Sequence, residues 1–238
     1  TMEANIRYVD KALPIHYLQR HFFAVLNEMG YEAGPYMDAR KSLTIVIADG
    51  DGTTYGKPGK KGEPILADSI VHESLLAYLE AGGIYMIVSG NDFDRTQRRL
   101  LDKNGIPQHL RHRVIVVTNG GASFALFDQA REKLIRFEDF TSHAIPRLLA
   151  NRPVDYKLDM IYLGDDHALL GNDMPAFKQV EFERSFVVSN ASRMDSAVDL
   201  QNQHIGGLEL GTKSVLQVIL EHLQGKVTAD GKNYQIGE

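Results

Sequence analysis

The chain has 238 residues, 43% hydrophobic and 24% charged, with 31 acidic against 26 basic side chains; this is the composition of a folded domain with a sizeable core, and it excludes a disordered chain. The absence of cysteine excludes disulfides, thiolate metal sites and a cysteine nucleophile, and a net charge of −5 gives no footprint for nucleic acid. No apolar run reaches the ~18 residues a membrane span needs, and the first residues lack a basic-then-apolar leader pattern, so a soluble, cytoplasmic protein is expected.

In chain order, Leu18 to Met29 has the spacing of a helix, and Gly30, Gly34 and Pro35 mark a loop after it. Leu43 to Ala48 is a β-branched run that stops at Asp49-Gly50-Asp51-Gly52. Ala67 to Glu80 repeats apolar residues (Ile70, Leu75, Leu76, Leu79) near helical spacing and ends at Gly82-Gly83. Ile84 to Val88 reads as a second buried strand, followed by Ser89-Gly90-Asn91 and a polar helix from Asp94 to Lys103. Val114 to Val117 is a third strand, Ser123 to Phe137 fits a hairpin, and Phe140 to Ala150 a helix. Met160 to Leu163 and Phe186 to Val188 are further strands, and Lys213 to Leu223 closes as an amphipathic helix. Continuous rather than alternating apolar strands imply burial on both faces, and strands interleaved with helices imply a mainly parallel sheet between helical layers. The domain organisation expected is an N-terminal helical appendage over 1–40, an α/β core over 41–225 and a polar tail over 226–238. The appendage is apolar enough to serve as a lid or as a homo-oligomer contact.

Ligands of an open parallel sheet bind beyond the carboxyl ends of its strands. Here those ends carry Asp49 and Asp51, then Ser89, then Asp165 and Asp166 with Asp173 shortly after. Converging carboxylates repel unless a hard cation relieves them, and magnesium suits a few carboxylates together with a substrate phosphate. An Asp-Gly-Asp-Gly turn also arises for backbone reasons alone. A calcium loop would need Glu at its twelfth position, which counted from Asp49 is Lys60.

At these residues the chain resembles the haloacid dehalogenase-like (HAD) superfamily of phosphohydrolases. The first motif of that superfamily, a strand followed by Asp-x-Asp-Gly-Thr, stands here as Asp49-Gly50-Asp51-Gly52-Thr53. A strand ending in a hydroxyl residue is matched by Ser89, and a strand ending in Gly-Asp by Gly164-Asp165-Asp166. Gly171 to Phe177, Val187 to Ala191 and Thr118 to Ala122 are similar to stretches of the Cof-type, sugar-phosphatase branch. The likeness implies a Rossmann-like three-layer α/β sandwich. It also implies a magnesium-dependent phosphatase for a phosphate monoester, with a sugar phosphate as the first guess. Only 76 residues separate Ser89 from Asp165 and 38 separate Asp51 from Ser89, so a capless or minimally capped member is expected. The eight-residue step from Asp165 to Asp173, where the branch has four, leaves open whether Asp166 or Asp173 assists the metal.

The roles implied by the resemblance are Asp49 as nucleophile and Asp51 as general acid and base. Asp49, Asp51 (through its carbonyl) and Asp165, with Asp166 or Asp173, would hold Mg2+. Gly52, Thr53, Ser89, Gly90 and Asn91 would bind the phosphoryl group, with the Gly52 and Gly90 amides as donors. A lysine or arginine balances the carboxylates in the family; Lys157, just before the fourth strand, is the candidate, ahead of Arg147, Arg152, Lys133 and Lys178. Lys57, Lys60 and Lys61 form a basic loop, either solvated or placed to attract an anionic substrate. The same residues would serve a phosphotransferase or phosphomutase. A non-catalytic phospho-acceptor module uses similar acids but has no need of Asp51.

Overall fold

The computed structural model describes residues 11, 12, 15, 18, 42–57, 62–119, 123–127, 134–136, 157–165, 173, 176, 177, 184–187, 203, 204 and 209–223. Within them, β1 (Ser42–Asp49), α1 (His72–Glu80), β2 (Ile84–Val88), α2 (Phe93–Leu101), β3 (Val114–Thr118), β4 (Ser123–Phe127), β5 (Leu134–Arg136), β6 (Lys157–Gly164), β7 (Arg184–Val187), β8 (Gln203–His204) and α3 (Glu209–Leu223) succeed one another in chain order. Each predicted strand and the hairpin has a counterpart among the described residues. The proposed helices over 18–29 (apart from Leu18, which is helical) and 140–150, and the polar tail, lie outside the described residues.

One eight-stranded sheet carries the order β5-β4-β3-β2-β1-β6-β7-β8. The six strands β3-β2-β1-β6-β7-β8 run parallel to one another, and the hairpin β4–β5 extends the edge antiparallel. The β-branched runs of β1, β2 and β3 are buried on both faces, as continuous apolar strands require. On one face Val46, Ala48, Tyr85, Ile87, Val114, Val116, Ile161 and Leu163 pack with Leu75, Tyr78 and Leu79 of α1 and Leu216 and Ile219 of α3. The alternate positions, Ile45, Ile47, Met86, Ile115, Val117 and Tyr162, are buried on the other face. There Phe177 meets the Tyr162 ring edge-on at 4.9 Å between centroids.

Two helices begin or end differently from their apolar periodicity. The stretch from Ala67 splits into a 3-10 turn (Leu66–Asp68) and α1, which starts only at His72. Between them the Ser69 hydroxyl accepts from the Val71 amide and has Glu209 Oε1 at 2.7 Å and Thr54 O at 3.0 Å as acceptors for its one proton, a local alternative to the helical ladder. Ile70 is therefore half-exposed in the turn rather than on a buried helix face. Helix α2 starts at its cap Asp92, whose carboxylate accepts from Arg95 N at 2.8 Å, and Lys103 and Asn104 leave it with positive φ.

The stretch from Asp49 to Ser89 holds, among the described residues, a turn, the 3-10 segment, α1 and β2, and no separate cap domain. Between β3 and β6, the described part of the chain goes into the sheet edge as β4 and β5. No helix among the described residues is long and apolar enough to cross a membrane.

Strand order decides where the site lies. β1 is central, β2 lies on one side of it and β6 on the other, so the carboxyl ends of three neighbouring strands meet. The register puts Asp49 level with Val88, and Ala48 level with Leu163. Ser89 and Asp165 are thus placed on either side of Asp49.

Candidate active site

After Asp49 the chain folds into a tight turn. Thr54 N donates to Asp49 O and Gly50 O, Tyr55 N to Gly50 O, and Gly52 N to Tyr55 O at 2.7 Å. The Thr54 hydroxyl donates to Asp49 O at 2.7 Å and meets Tyr85 Oη at 2.7 Å, which ties the turn to β2. Gly52 has φ +80°, and a Cβ there would lie 2.6 Å from Asp165 Oδ2. Both facts require glycine: L side chains are strained at that angle, and the carboxylate occupies the space.

This turn aims Asp49 at a cluster of acids. Asp49, Asp165 and Asp173 are buried and offer carboxylate oxygens within 4.8 Å of one another. Asp173 therefore belongs to the cluster, whereas Asp166 lies outside the described residues. Asp173 accepts from the Tyr162 hydroxyl at 2.7 Å, and a Cβ at Gly164 would approach its Oδ2 to 2.7 Å, so the glycine is what lets Asp173 in. The Asp51 side chain is not part of this trio. It turns to the other side of the turn, where Arg99 Nη1 lies 2.7 Å from Oδ1 and Asn91 Nδ2 donates to Oδ2 at 3.0 Å.

The cation that balances the trio is Lys11. Its Nζ lies 2.5 Å from Asp49 Oδ1 and 2.6 Å from Asp173 Oδ1, and its side chain is fully buried. Lys157 is a correction: it opens β6 opposite Ser42, eight residues and about 23 Å of extended strand from the end that bears Asp165. A residue before a strand in sequence sits at the wrong end of it, which proximity along the chain hides. Lys11 stands 38 positions ahead of Asp49 and in no motif. The one trace of it in the sequence is a lysine heading an apolar helical face, Ala12, Ile15 and Leu18, all helical and fully buried. From the basic loop, Lys57 reaches Asp165 Oδ2 at 2.6 Å although its side chain is 59% exposed; Lys60 and Lys61 lie outside the described residues.

Burial pushes the Asp49 carboxyl up to about 7, against the pull of Lys11 and helped by Asp173 and Asp165. For Lys11, burial opposes the charge, but Asp173 and Asp49 outweigh it and hold the amine above the ordinary lysine range. Burial next to Asp173 likewise raises the Tyr162 phenol. With Asp49 ionised, two lysines against three carboxylates leave the cluster with a residual negative charge. An oxygen-only donor set with that deficit fits a hard divalent cation.

The expected phosphoryl-binding residues divide. Ser89 is buried at the end of β2, and its Oγ accepts from the Asn91 amide at 3.1 Å and from Asn91 Nδ2 at 3.0 Å. Gly90 is exposed, and a Cβ there would meet open space. The Gly52 amide, expected as a phosphoryl donor, is instead committed to Tyr55 O. Thr53 is fully buried, and its Oγ1 has no hydrogen-bond partner among the described residues. Asn91 faces Asp51 and Ser89, so its amide serves to hold other site residues.

No protein-family model matches the chain, and no curated protein does. Among solved structures, the chain is similar to 3-deoxy-D-manno-octulosonate 8-phosphate phosphatase from Moraxella catarrhalis in complex with magnesium, phosphate and KDO. Identity is 15%, with 82% of this chain and 94% of that one covered and a TM-score of 0.41. The cobalt-bound deoxy-D-mannose-octulosonate 8-phosphate phosphatase (YrbI) from Haemophilus influenzae matches at 19% identity, 79% and 92% coverage and a TM-score of 0.41. Thermoplasma acidophilum 0175 matches at 14% identity, 77% and 99% coverage and a TM-score of 0.45. None of these names carries the Cof-type branch that Gly171 to Phe177 resembles, and at these values the likeness bears on neither substrate nor branch.

Proposed function

We propose that the chain is a magnesium-dependent phosphatase that hydrolyses a phosphate monoester of a small molecule through an aspartyl-phosphate on Asp49. The observation that carries this reading is the buried trio Asp49, Asp165 and Asp173 with Lys11 between two of its members, at the carboxyl end of the central strand. A purely structural role would not gather three carboxylates in one buried spot, since each must be compensated against the cost of leaving water.

Asp49, Asp165 and Asp173 would hold the Mg2+. Bound there, the ion supplies charge neutralisation for the nucleophile and for the phosphoryl oxygens. Lys11 offsets the charge of Asp49 and Asp173 and holds one oxygen of each. An Asp49 oxygen attacks phosphorus as the bond from phosphorus to the leaving oxygen breaks, and Asp51, which must enter this step as the neutral acid, gives that oxygen its proton and becomes the carboxylate. Water then attacks the phosphorus, Asp51 takes its proton, and the Asp49 oxygen–phosphorus bond breaks to release inorganic phosphate. Ser89, beside Asp49 at the end of β2, is the hydroxyl placed to steady a phosphoryl oxygen. A sugar phosphate is the first substrate class to screen, on the resemblance of the second acidic stretch.

The test is p-nitrophenyl phosphate hydrolysis with magnesium and with EDTA, comparing the parent with Asp49→Asn. Magnesium-dependent turnover lost by at least 1,000-fold in the variant, on the order expected for a nucleophile, supports the reading. A parent no faster than Asp49→Asn overturns it.

A further inference from the structure

Arg99 is 1% exposed and, among the described residues, one of the largest fully buried side chains. It sits on α2 seven residues, or two turns, past the cap Asp92, and so on the face that looks back toward the strand ends. Each of its three nitrogens has an oxygen within 3.3 Å: Asp51 Oδ1 as an ion pair, and two backbone carbonyls as hydrogen-bond acceptors. Nη1 lies 2.7 Å from Asp51 Oδ1, Nε donates to Pro64 O at 2.8 Å and Nη2 to Gly56 O at 3.3 Å. The flat face stacks on the Tyr55 ring, with the central carbon 3.8 Å from the centroid. Gly56 and Pro64 are the two stems of the loop that leaves the acidic turn and returns to the 3-10 segment. One side chain therefore pins both stems, the ring of the turn and the carboxylate of Asp51. Asn91, on the loop that leads into the same helix, holds the other oxygen of that carboxylate.

A buried guanidinium is a poor way to stabilise a fold. Taking it out of water is costly, and a packed apolar residue commonly does as well or better. Of the described residues only Asp51 pairs with it as a counter-charge, and Asp51 is one-third exposed at the mouth of the site.

We infer that Arg99 is the positioning residue of the reaction: it holds Asp51 at the geometry needed to protonate the leaving oxygen, and it couples that geometry to the stems of the basic loop. The inference rests on the phosphatase reading and gives Asp51's placement a cause outside the acidic turn. None of these Arg99 contacts reaches the Asp49–Asp165–Asp173 trio, so its effect on the proton transfer runs through Asp51.

The experiment compares kcat/KM on two substrates for the parent, Arg99→Met, Asp51→Asn and the double variant. The first substrate is glycerol phosphate, whose alkoxide needs a proton to leave; the second is p-nitrophenyl phosphate, whose phenolate does not. General acid catalysis contributes about 10²–10⁴-fold. Arg99→Met should lose at least 100-fold on glycerol phosphate and less than 10-fold on p-nitrophenyl phosphate. The double variant should be no worse on glycerol phosphate than Asp51→Asn, because residues acting as a unit are not additive. Should Arg99→Met fail to fold by circular dichroism, Arg99→Gln takes its place: its amide can still donate to a stem carbonyl, it lacks the charge that pairs with Asp51, and it should show the same substrate split. Equal losses on both substrates, or additive losses in the double variant, overturn the positioning role while leaving the phosphatase intact. A parent inert on both substrates, and equal to Asp49→Asn, overturns both.

Discussion

Lys11→Met removes one charge from the buried centre of the site and little else, because methionine keeps most of the lysine stem. In the parent, Lys11 compensates Asp49 at 2.5 Å and Asp173 at 2.6 Å with no exposure to water. Breaking a buried pair from one side leaves the other charges uncompensated and costs about 3–5 kcal/mol. For a chain of 238 residues that lowers Tm by about 6–20 °C, at 2–4 °C per kcal/mol. The effect depends on pH in a fixed direction. Folded Asp49 is pushed up to about 7 from an ordinary 3.8, so between those values the folded metal-free protein keeps a proton that the unfolded chain releases. Its stability therefore falls as pH rises through that window, and a cost on the order of 4 kcal/mol stands in full above it. Without the pull of Lys11 the carboxyl rises further, so the window extends upward and the gap between parent and variant widens with pH. The assay is thermal unfolding in EDTA at pH 5 and pH 8. A difference below about 1 kcal/mol at pH 8, or one that does not change with pH, would refute the placement of Lys11 between the carboxylates.

Magnesium at 100 times its Kd should stabilise the parent by ~2.7 kcal/mol, read as a rise in Tm, and the rise should vanish in Asp165→Asn; an equal rise in both would remove Asp165 from the cation site. Gly52→Ala, strained at φ +80° and driven into Asp165, should weaken Mg2+ binding at least tenfold by calorimetry, and unchanged binding would contradict the close packing of turn and carboxylate. Tyr162→Phe deletes the hydroxyl that donates to Asp173 and should cost about 1.5–3 kcal/mol in urea unfolding, the range for a hydrogen bond to a charged group. Lys157→Ala, at the far end of β6, should leave kcat and KM unchanged; a tenfold loss would argue that the lysine does reach the site.

Much of the fold was legible because local chemistry and global topology agree here. The β-branched runs that end in Asp49, Ser89 and Asp165 are short, uninterrupted and followed by turn residues, and a parallel sheet is the arrangement that buries such strands on both faces. The acidic turn was legible for a related reason: Asp-x-Asp-Gly-Thr keeps its spacing because the Gly52 backbone needs a conformation that only glycine adopts easily. Helix α2 was read as polar, yet one of its arginines is buried. A pattern of charges reports amphipathicity; it cannot say that an interior carboxylate and two carbonyls will meet a guanidinium.

The sequence by itself determined the strands, the turn and the chemical types at three strand ends, since each depends on spacing within a dozen residues. Only the tertiary structure decided which charges meet. Lys11 and Asp173 lie 162 positions apart and Asp51 and Arg99 lie 48 apart, and nothing in one-dimensional proximity favours those partners over Lys157. The order β2-β1-β6 makes the choice, because it brings the carboxyl ends of three parallel strands to one edge and leaves the residues at their amino ends about 20 Å away.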